Sequence, residues 1–304
     1  MTQDCILCGA NSFKETIYSN INNCKVLQCS ECSLVFTEIG KEFSSTEAMN
    51  TIYYGDIKGY LRRRREFIHR FRNFLRRIEK FKNKGRILDI GCCVGFFLHV
   101  AQKMGWDCVG VELATTSANY AKDEFKLNVM NKKLEEIKFP DKHFDVITMW
   151  DVLEHIPDPV NGLNEVYRIL KDDGLLVVQV PNIKSAKAIL EGKVFVFLNV
   201  PCHLYHFSPL TIRKILEKAN FKVIKVMSYE AYDTMFDWFF PYLLTIINTS
   251  SPKVRIGVIM IRKGIKLIFY ALYPLLKPFQ ILICKINRGG QIQVYALKNR
   301  ASRN

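Results

Sequence analysis

The stretch "ILDIGCCVGFFL", Ile87 to Leu98, sets the reading of the whole chain. Ile87, Leu88 and Ile90 make a short apolar run, Gly91 and Gly95 bracket a turn, and Phe96 begins a second apolar run. A strand that ends in a glycine turn and opens a helix brings backbone N–H groups close to a nucleotide. The middle of this turn, where a further glycine is usual, holds Cys93. A β-carbon there resists close backbone approach and positive φ, but cysteine is small and both flanking glycines are kept. The turn reads as a cofactor loop with one substituted position; the ordinary alternative is a degenerate loop in a non-catalytic relative.

Outward from this loop the rhythm alternates. "RILDI" predicts a strand, "GFFLHVAQKMG" a helix closing on Gly105, "WDCVGVEL" a strand and "ATTSANYAKDEF" a helix. "HFDVITMW" and "DGLLVVQVPN" predict strands on either side of a helix led by Pro159. "SPLTIRKILEKANF" predicts a helix with Ser208 as N-cap and Pro209 at its first position, followed by the strand "FKVIKVMSY". Alternation of this kind implies an α/β fold, a parallel sheet with helices on both faces. Ligands in such sheets bind beyond the carboxyl ends of the strands, where strand order reverses.

The strand end "VGVEL" delivers Glu112, 23 residues after Asp89. That interval suits a carboxylate that accepts hydrogen bonds from both hydroxyls of a ribose. A nicotinamide dinucleotide and S-adenosylmethionine both fit an acid there. Asp89 separates them, because it would repel a pyrophosphate and favour a cationic amino-acid moiety. The residues therefore point to S-adenosylmethionine.

The first forty residues carry "CILC" and "CSEC", placing Cys5 and Cys8 against Cys29 and Cys32. Two CxxC knuckles at this interval fit a zinc ribbon, and four thiolates close a structural rather than a catalytic site. Cys24 is a spare thiol that could replace Cys29. The start "MTQDCILCGA" has neither a basic end nor an apolar run, so a cytoplasmic location is the expectation.

The net charge of +15 is unevenly placed. Leu61 to Arg86 holds twelve Lys or Arg against two acids, and Trp238 to Asn304 holds eleven with no acid at all. In the first segment Phe67, Ile68, Phe71, Phe74, Leu75, Ile78 and Phe81 recur at helical spacing. Their face should pack on the main domain, while the arginines offer a surface to phosphate, anionic lipid or nucleic acid. In the second, apolar runs interrupted by basic residues are too short to span a bilayer, which takes roughly eighteen. Residues 238–286 read as an amphipathic insert, before a last strand in "GGQIQVYALKN", that lies on an anionic membrane. A dimer interface or a cover for the sheet is the competing reading.

Taken together, these motifs resemble class I S-adenosylmethionine-dependent methyltransferases, in the branch with an N-terminal zinc ribbon that includes sugar methyltransferases. "ILDIGCCVGFFL" is similar to the family's DxGxGxG turn, "FDVITMWDVLEHIPDP" and "LKDDGLLVVQVPN" to its fourth and fifth strands, and "HLYHFSPLTIRKILEKANF" to the segment closing over the acceptor. The resemblance implies a Rossmann-like seven-stranded sheet over 86–304, a zinc ribbon over 1–40 and a helical linker or lid over 41–85. It implies that Asp89, Gly91 and Gly95 meet the methionine end of the cofactor, with Tyr60 at its carboxylate. Glu112 would take the ribose, Leu113 and Glu135 or Glu136 the adenine, and Trp150 and Asp151 the methyl-donor channel.

A histidine base is needed where the acceptor holds its proton tightly. The candidates are His155, His203 and His206; the resemblance places the base at His203, and a buried histidine pinning its loop is the ordinary reading of His155. Tyrosine and glutamate partners found in similar sugar enzymes are replaced by Val200 and Cys202. The expected acceptor is a small or lipid-linked sugar. One rival is metal-assisted O-methyl transfer of quinone-biosynthesis type, with Asp151, Glu154 and His155 on a divalent ion. Another is a zinc-ribbon nucleic-acid-binding protein whose methyltransferase-like domain is inert.

Overall fold

The computed structural model describes residues 4–16, 24–38, 57–230 and 274–299. The ribbon supplies β1 (Phe13–Glu15), β2 (Lys25–Cys29) and β3 (Val35–Glu38). The central sheet takes β4 (Arg86–Ile90), β5 (Asp107–Val111), β6 (Asn128–Met130), β7 (Phe144–Trp150) and β8 (Leu170–Pro181). After β9 (Tyr205–His206) come β10 (Phe221–Tyr229) and β11 (Gln291–Lys298). The seven strands of that sheet run in the order β10-β11-β8-β7-β4-β5-β6. β4 pairs in parallel with both β5 and β7, so strand order reverses at β4.

The last strand enters antiparallel between β8 and β10, completing the sheet that "GGQIQVYALKN" announces. Its Ile292, Val294, Tyr295 and Ala296 are wholly buried. One apolar core lies on each face of the sheet. The arginine-rich segment forms the helix Arg64–Ile78, which buries Phe67, Phe71, Phe74, Leu75 and Ile78. Phe71 meets Phe97 edge-on at 5.5 Å and Phe74 stacks on Trp150 at 5.0 Å. The phenylalanines thus roof the mouth of the sheet, and they do so because they fall on one helical face.

The membrane expectation for 238–286 falls mostly outside the described residues. Its last part is helical over 274–285, and Ile283 is buried while Leu275, Phe279, Leu282 and Ile286 are exposed. Among the described residues no helix is long and apolar enough to cross a membrane.

Candidate active site

The glycine turn has the geometry that its residue types demand. Gly91 and Gly95 sit at φ of 69° and 78°. A β-carbon on Gly91 would lie 2.5 Å from Val152, and one on Gly95 2.8 Å from the Ala121 β-carbon. Neither position admits a side chain without movement of its neighbours. Cys93 also takes a left-handed φ, of 50°, which costs an L-residue about 1 kcal/mol or more. Glycine at 93 would relieve that cost. Cys93→Gly should raise the melting temperature and bind the cofactor at least as tightly; a variant that melts lower would show the thiol to be needed for packing.

Glu112 ties the loop to the end of β5. Its Oε2 accepts from the Cys93 N–H at 2.7 Å and its Oε1 from the Ala114 N–H at 2.8 Å. Burial raises its pKa, and the backbone N–H groups of Ala114, Cys93 and Leu113 oppose that rise by favouring the anion. Asn131 braces the same corner by donating to the carbonyls of Glu112 and Leu113. Asp89, 1% exposed, accepts from the Thr148 hydroxyl at 2.6 Å. Burial drives its pKa well up, the Thr148 hydroxyl opposes that rise, and the nearby Glu112 charge adds to it.

These groups open onto one cavity of about 990 Å³. Tyr60, Asp89, Gly91, Glu112, Leu113, Glu135, Trp150, Asp151, His155 and His203 all line it. Of the two acids expected at the adenine, Glu135 reaches this cavity and Glu136 lines a different, smaller one. Gly95 stands behind the wall, as the residue capping the helix Phe96–Lys103. Tyr60 stacks on Phe67 at 5.3 Å. Sequence reasoning missed Arg70, which also lines the cavity, its guanidinium 4.4 Å from the Phe67 ring centre. Burial lifts Asp151 to about 6, and the nearby Arg70 charge and the Gln179 amide hold it from rising further.

The far wall gathers Glu154, His155 and His203, whose ligand-capable atoms all lie within 4.8 Å of one another. His203 Nδ1 is 2.8 Å from the Phe197 carbonyl, and His155 Nδ1 is 2.9 Å from the Cys202 carbonyl. A carbonyl only accepts, so each imidazole carries its proton on Nδ1 and presents Nε2 as a lone pair. Burial holds His155 down at about 4; burial first, and then the closeness of His155 and His206, hold His203 well below the usual range. Glu154 is wholly buried, and neither carboxylate oxygen has a hydrogen-bond partner among the described residues. Burial and the Asp151 charge raise its pKa well above normal. The three residues form a set of two neutral bases and one acid. Asp151, expected beside Glu154 and His155 on an ion, instead accepts from Gln179, and His203 takes the third place.

At the ribbon, Cys5 and Cys32 Sγ are 3.5 Å apart and Cys8 and Cys29 Sγ 3.6 Å, with all four within 4.8 Å. Zinc–sulfur bonds of about 2.3 Å in a tetrahedron place sulfurs roughly 3.8 Å apart, so the cluster fits that ion. Each knuckle closes through a residue of positive φ, Gly9 or Ser33, whose N–H donates to the Cys5 or Cys29 carbonyl. Burial would raise the Cys29 pKa, but N–H groups of Cys32 and Glu31 and the adjacent thiols bring it to about 7. Cys24 packs elsewhere, among Val26, Val35 and Phe195, and does not substitute for Cys29. Elemental analysis of purified protein should find one zinc per chain; none after metal-free purification, with the fold retained, would exclude a structural ion.

A reversal of strand order at β4, a glycine turn beyond it and a carboxylate at the end of β5 define a class I methyltransferase fold and site. Residues 60–226 match the model of a family described as a methyltransferase domain, and the chain belongs to it. It is 26% identical over 161 residues to a ubiquinone biosynthesis O-methyltransferase of Glaesserella parasuis, covering 47% of this chain and 68% of that protein. Its fold resembles a SAM-dependent methyltransferase from Archaeoglobus fulgidus, with a TM-score of 0.52 and 23% identity over 80% of this chain and all of the other. It also resembles phosphoethanolamine N-methyltransferase 2 of Haemonchus contortus bound to S-adenosyl-L-methionine, with a TM-score of 0.56, 18% identity and coverage of 88% and 63%. The chain is an enzyme of S-adenosylmethionine-dependent methyl transfer.

Proposed function

We propose that the chain transfers a methyl group from S-adenosylmethionine to a hydroxyl of an acceptor held against Glu154, His155 and His203. The observation that carries this reading is the pair of neutral imidazoles in the wall of the cofactor cavity. Methyl transfer is an in-line displacement on a sulfonium, and positioning and exclusion of water supply much of its catalysis. The acceptor must lose a proton, and a buried neutral imidazole with an unprotonated Nε2 can take it.

Glu112 would hold the ribose, Leu113 and Glu135 the adenine end, and Asp89 the cationic methionine end. Arg70 and Tyr60 would meet the carboxylate, since Arg70 brings a positive charge to that rim of the cavity. Trp150 and Asp151 would border the donor channel. The acceptor class favoured here is a small or lipid-linked sugar, because zinc-ribbon sequences of this pattern resemble sugar methyltransferases.

A second reading, metal-assisted transfer to a catechol-like ring, draws support from the clustered Glu154, His155 and His203. Two imidazoles and a carboxylate suit a divalent transition metal that would align neighbouring hydroxyls. Incubation with methyl-tritiated S-adenosylmethionine separates the two. The panel should include sugar nucleotides, polyprenyl-phosphate sugars and 3,4-dihydroxybenzoate, each with and without chelator. Label entering a sugar in the presence of chelator supports the first reading, and chelator-sensitive label in the catechol supports the second. Label in none of them would overturn the hydroxyl acceptor.

A further inference from the structure

The ribbon does not end at its cysteines. β3 pairs antiparallel with β9, setting Val35 opposite His206 and Phe36 opposite Tyr205. The Thr37 N–H donates to the Leu204 carbonyl at 2.9 Å. The Thr37 hydroxyl lies 2.8 Å from the His203 carbonyl and 2.9 Å from His206 Nε2. From the opposite side, the Leu204 N–H donates to the Glu154 carbonyl at 2.8 Å, and His155 holds the Cys202 carbonyl. The segment 202–206 is therefore clamped between a ribbon strand and the turn that carries Glu154 and His155. Lys218 adds a second tie by donating to the Ile6 and Leu7 carbonyls inside the first cysteine knuckle.

Proton accounting gives the clamp one direction. The His203 carbonyl can only accept, so the single hydroxyl proton of Thr37 goes to it. Thr37 Oγ1 must then accept from His206, whose ring proton sits on Nε2. Thr37 is 6% exposed and His206 5%, so neither has solvent as a substitute partner. A β-branched residue without the hydroxyl would leave a buried carbonyl and a buried N–H unsatisfied, in the segment that bears His203.

We infer that Thr37 is a positioning residue of the acceptor site: the ribbon, through Thr37, fixes the backbone of His203 and with it the Glu154–His155–His203 wall. The inference rests on His203 acting on the acceptor side of the cavity. The cofactor half is built from β4, β5 and the turns that follow them, so disturbance at Thr37 should spare it. The ribbon then completes the site for one of the two substrates, although Thr37 lies 166 residues before His203 in the chain.

Three full-length variants test this, with histidine rings labelled with nitrogen-15 and S-adenosylmethionine as the binding probe. Thr37→Val keeps the shape and removes the hydroxyl; Thr37→Ser keeps the hydroxyl; Thr37→Ala serves if the valine variant does not fold. In the valine or alanine variant the His203 ring resonances should move, and kcat toward the acceptor methylated by the wild type should fall about tenfold to a hundredfold. The cofactor Kd should stay within about twofold, because no cofactor-side group is touched. The serine variant should keep most of kcat and the native ring resonances. An unmoved His203 resonance with wild-type kcat in the valine variant overturns the inference, as does a serine variant that fails equally. If the resonance moves as expected but His203→Ala keeps full kcat, the positioning contact stands and it is the catalytic reading of His203 that falls.

Discussion

Replacing Glu112 by alanine is expected to weaken S-adenosylmethionine binding by about a hundredfold or more. The carboxylate holds two backbone N–H groups, from Cys93 in the glycine turn at 2.7 Å and from Ala114 just after β5 at 2.8 Å. Hydrogen bonds to a charged group are worth about 1.5–3 kcal/mol each, so losing two removes about 3 kcal/mol or more of the order that shapes the loop. The same carboxylate is the expected acceptor for the ribose hydroxyls, and its loss compounds the first effect. Glu112→Gln keeps one acceptor oxygen and should fall between. Titration calorimetry on both variants checks this, and an alanine variant within about fivefold of the wild type would move the nucleoside away from the end of β5.

The second large effect is on turnover. His203→Ala should lower kcat by about a hundredfold to ten-thousandfold, the range for loss of a general base, with cofactor affinity unchanged. The pH profile follows from burial. A base works only unprotonated, and burial holds His155 at about 4 and His203 well below the ordinary histidine range. The wild-type kcat should therefore stay level from about pH 8 to about pH 6 and fall only at lower pH, as protons reach these rings. A fall centred near 6.5 would place the base on a solvated histidine instead.

Much of this is legible in the sequence, and the reasons are local. Gly91 and Gly95 announce a turn because no other residue fits their φ and their neighbours. Cys5, Cys8, Cys29 and Cys32 announce a cluster of four thiols that could hold a metal, because CxxC spacing fixes the reach of two thiols. The phenylalanine face of the helix Arg64–Ile78 follows from helical periodicity.

What stayed hidden depends on distance along the chain or on short elements. β6 spans three residues, too few for a period to register. Arg70 sits in an arginine run that reads as a solvated face, yet it is three residues from Phe67 and turns with it toward the cavity. The pairing of β3 with the two-residue β9 joins positions more than 160 apart, and no local pattern at Thr37 signals it. For the same reason the acid and imidazole at 154 and 155 found their third partner at His203 rather than at the adjacent Asp151.

Titration calorimetry of the full chain with S-adenosylmethionine tests the central claim most directly. One site per chain is expected, with a Kd in the micromolar range, about −8 kcal/mol at 1 µM. Absence of binding heat at millimolar cofactor, together with a melting temperature that the cofactor does not raise, would contradict a working cofactor loop and with it the enzyme built around Glu112 and Asp89.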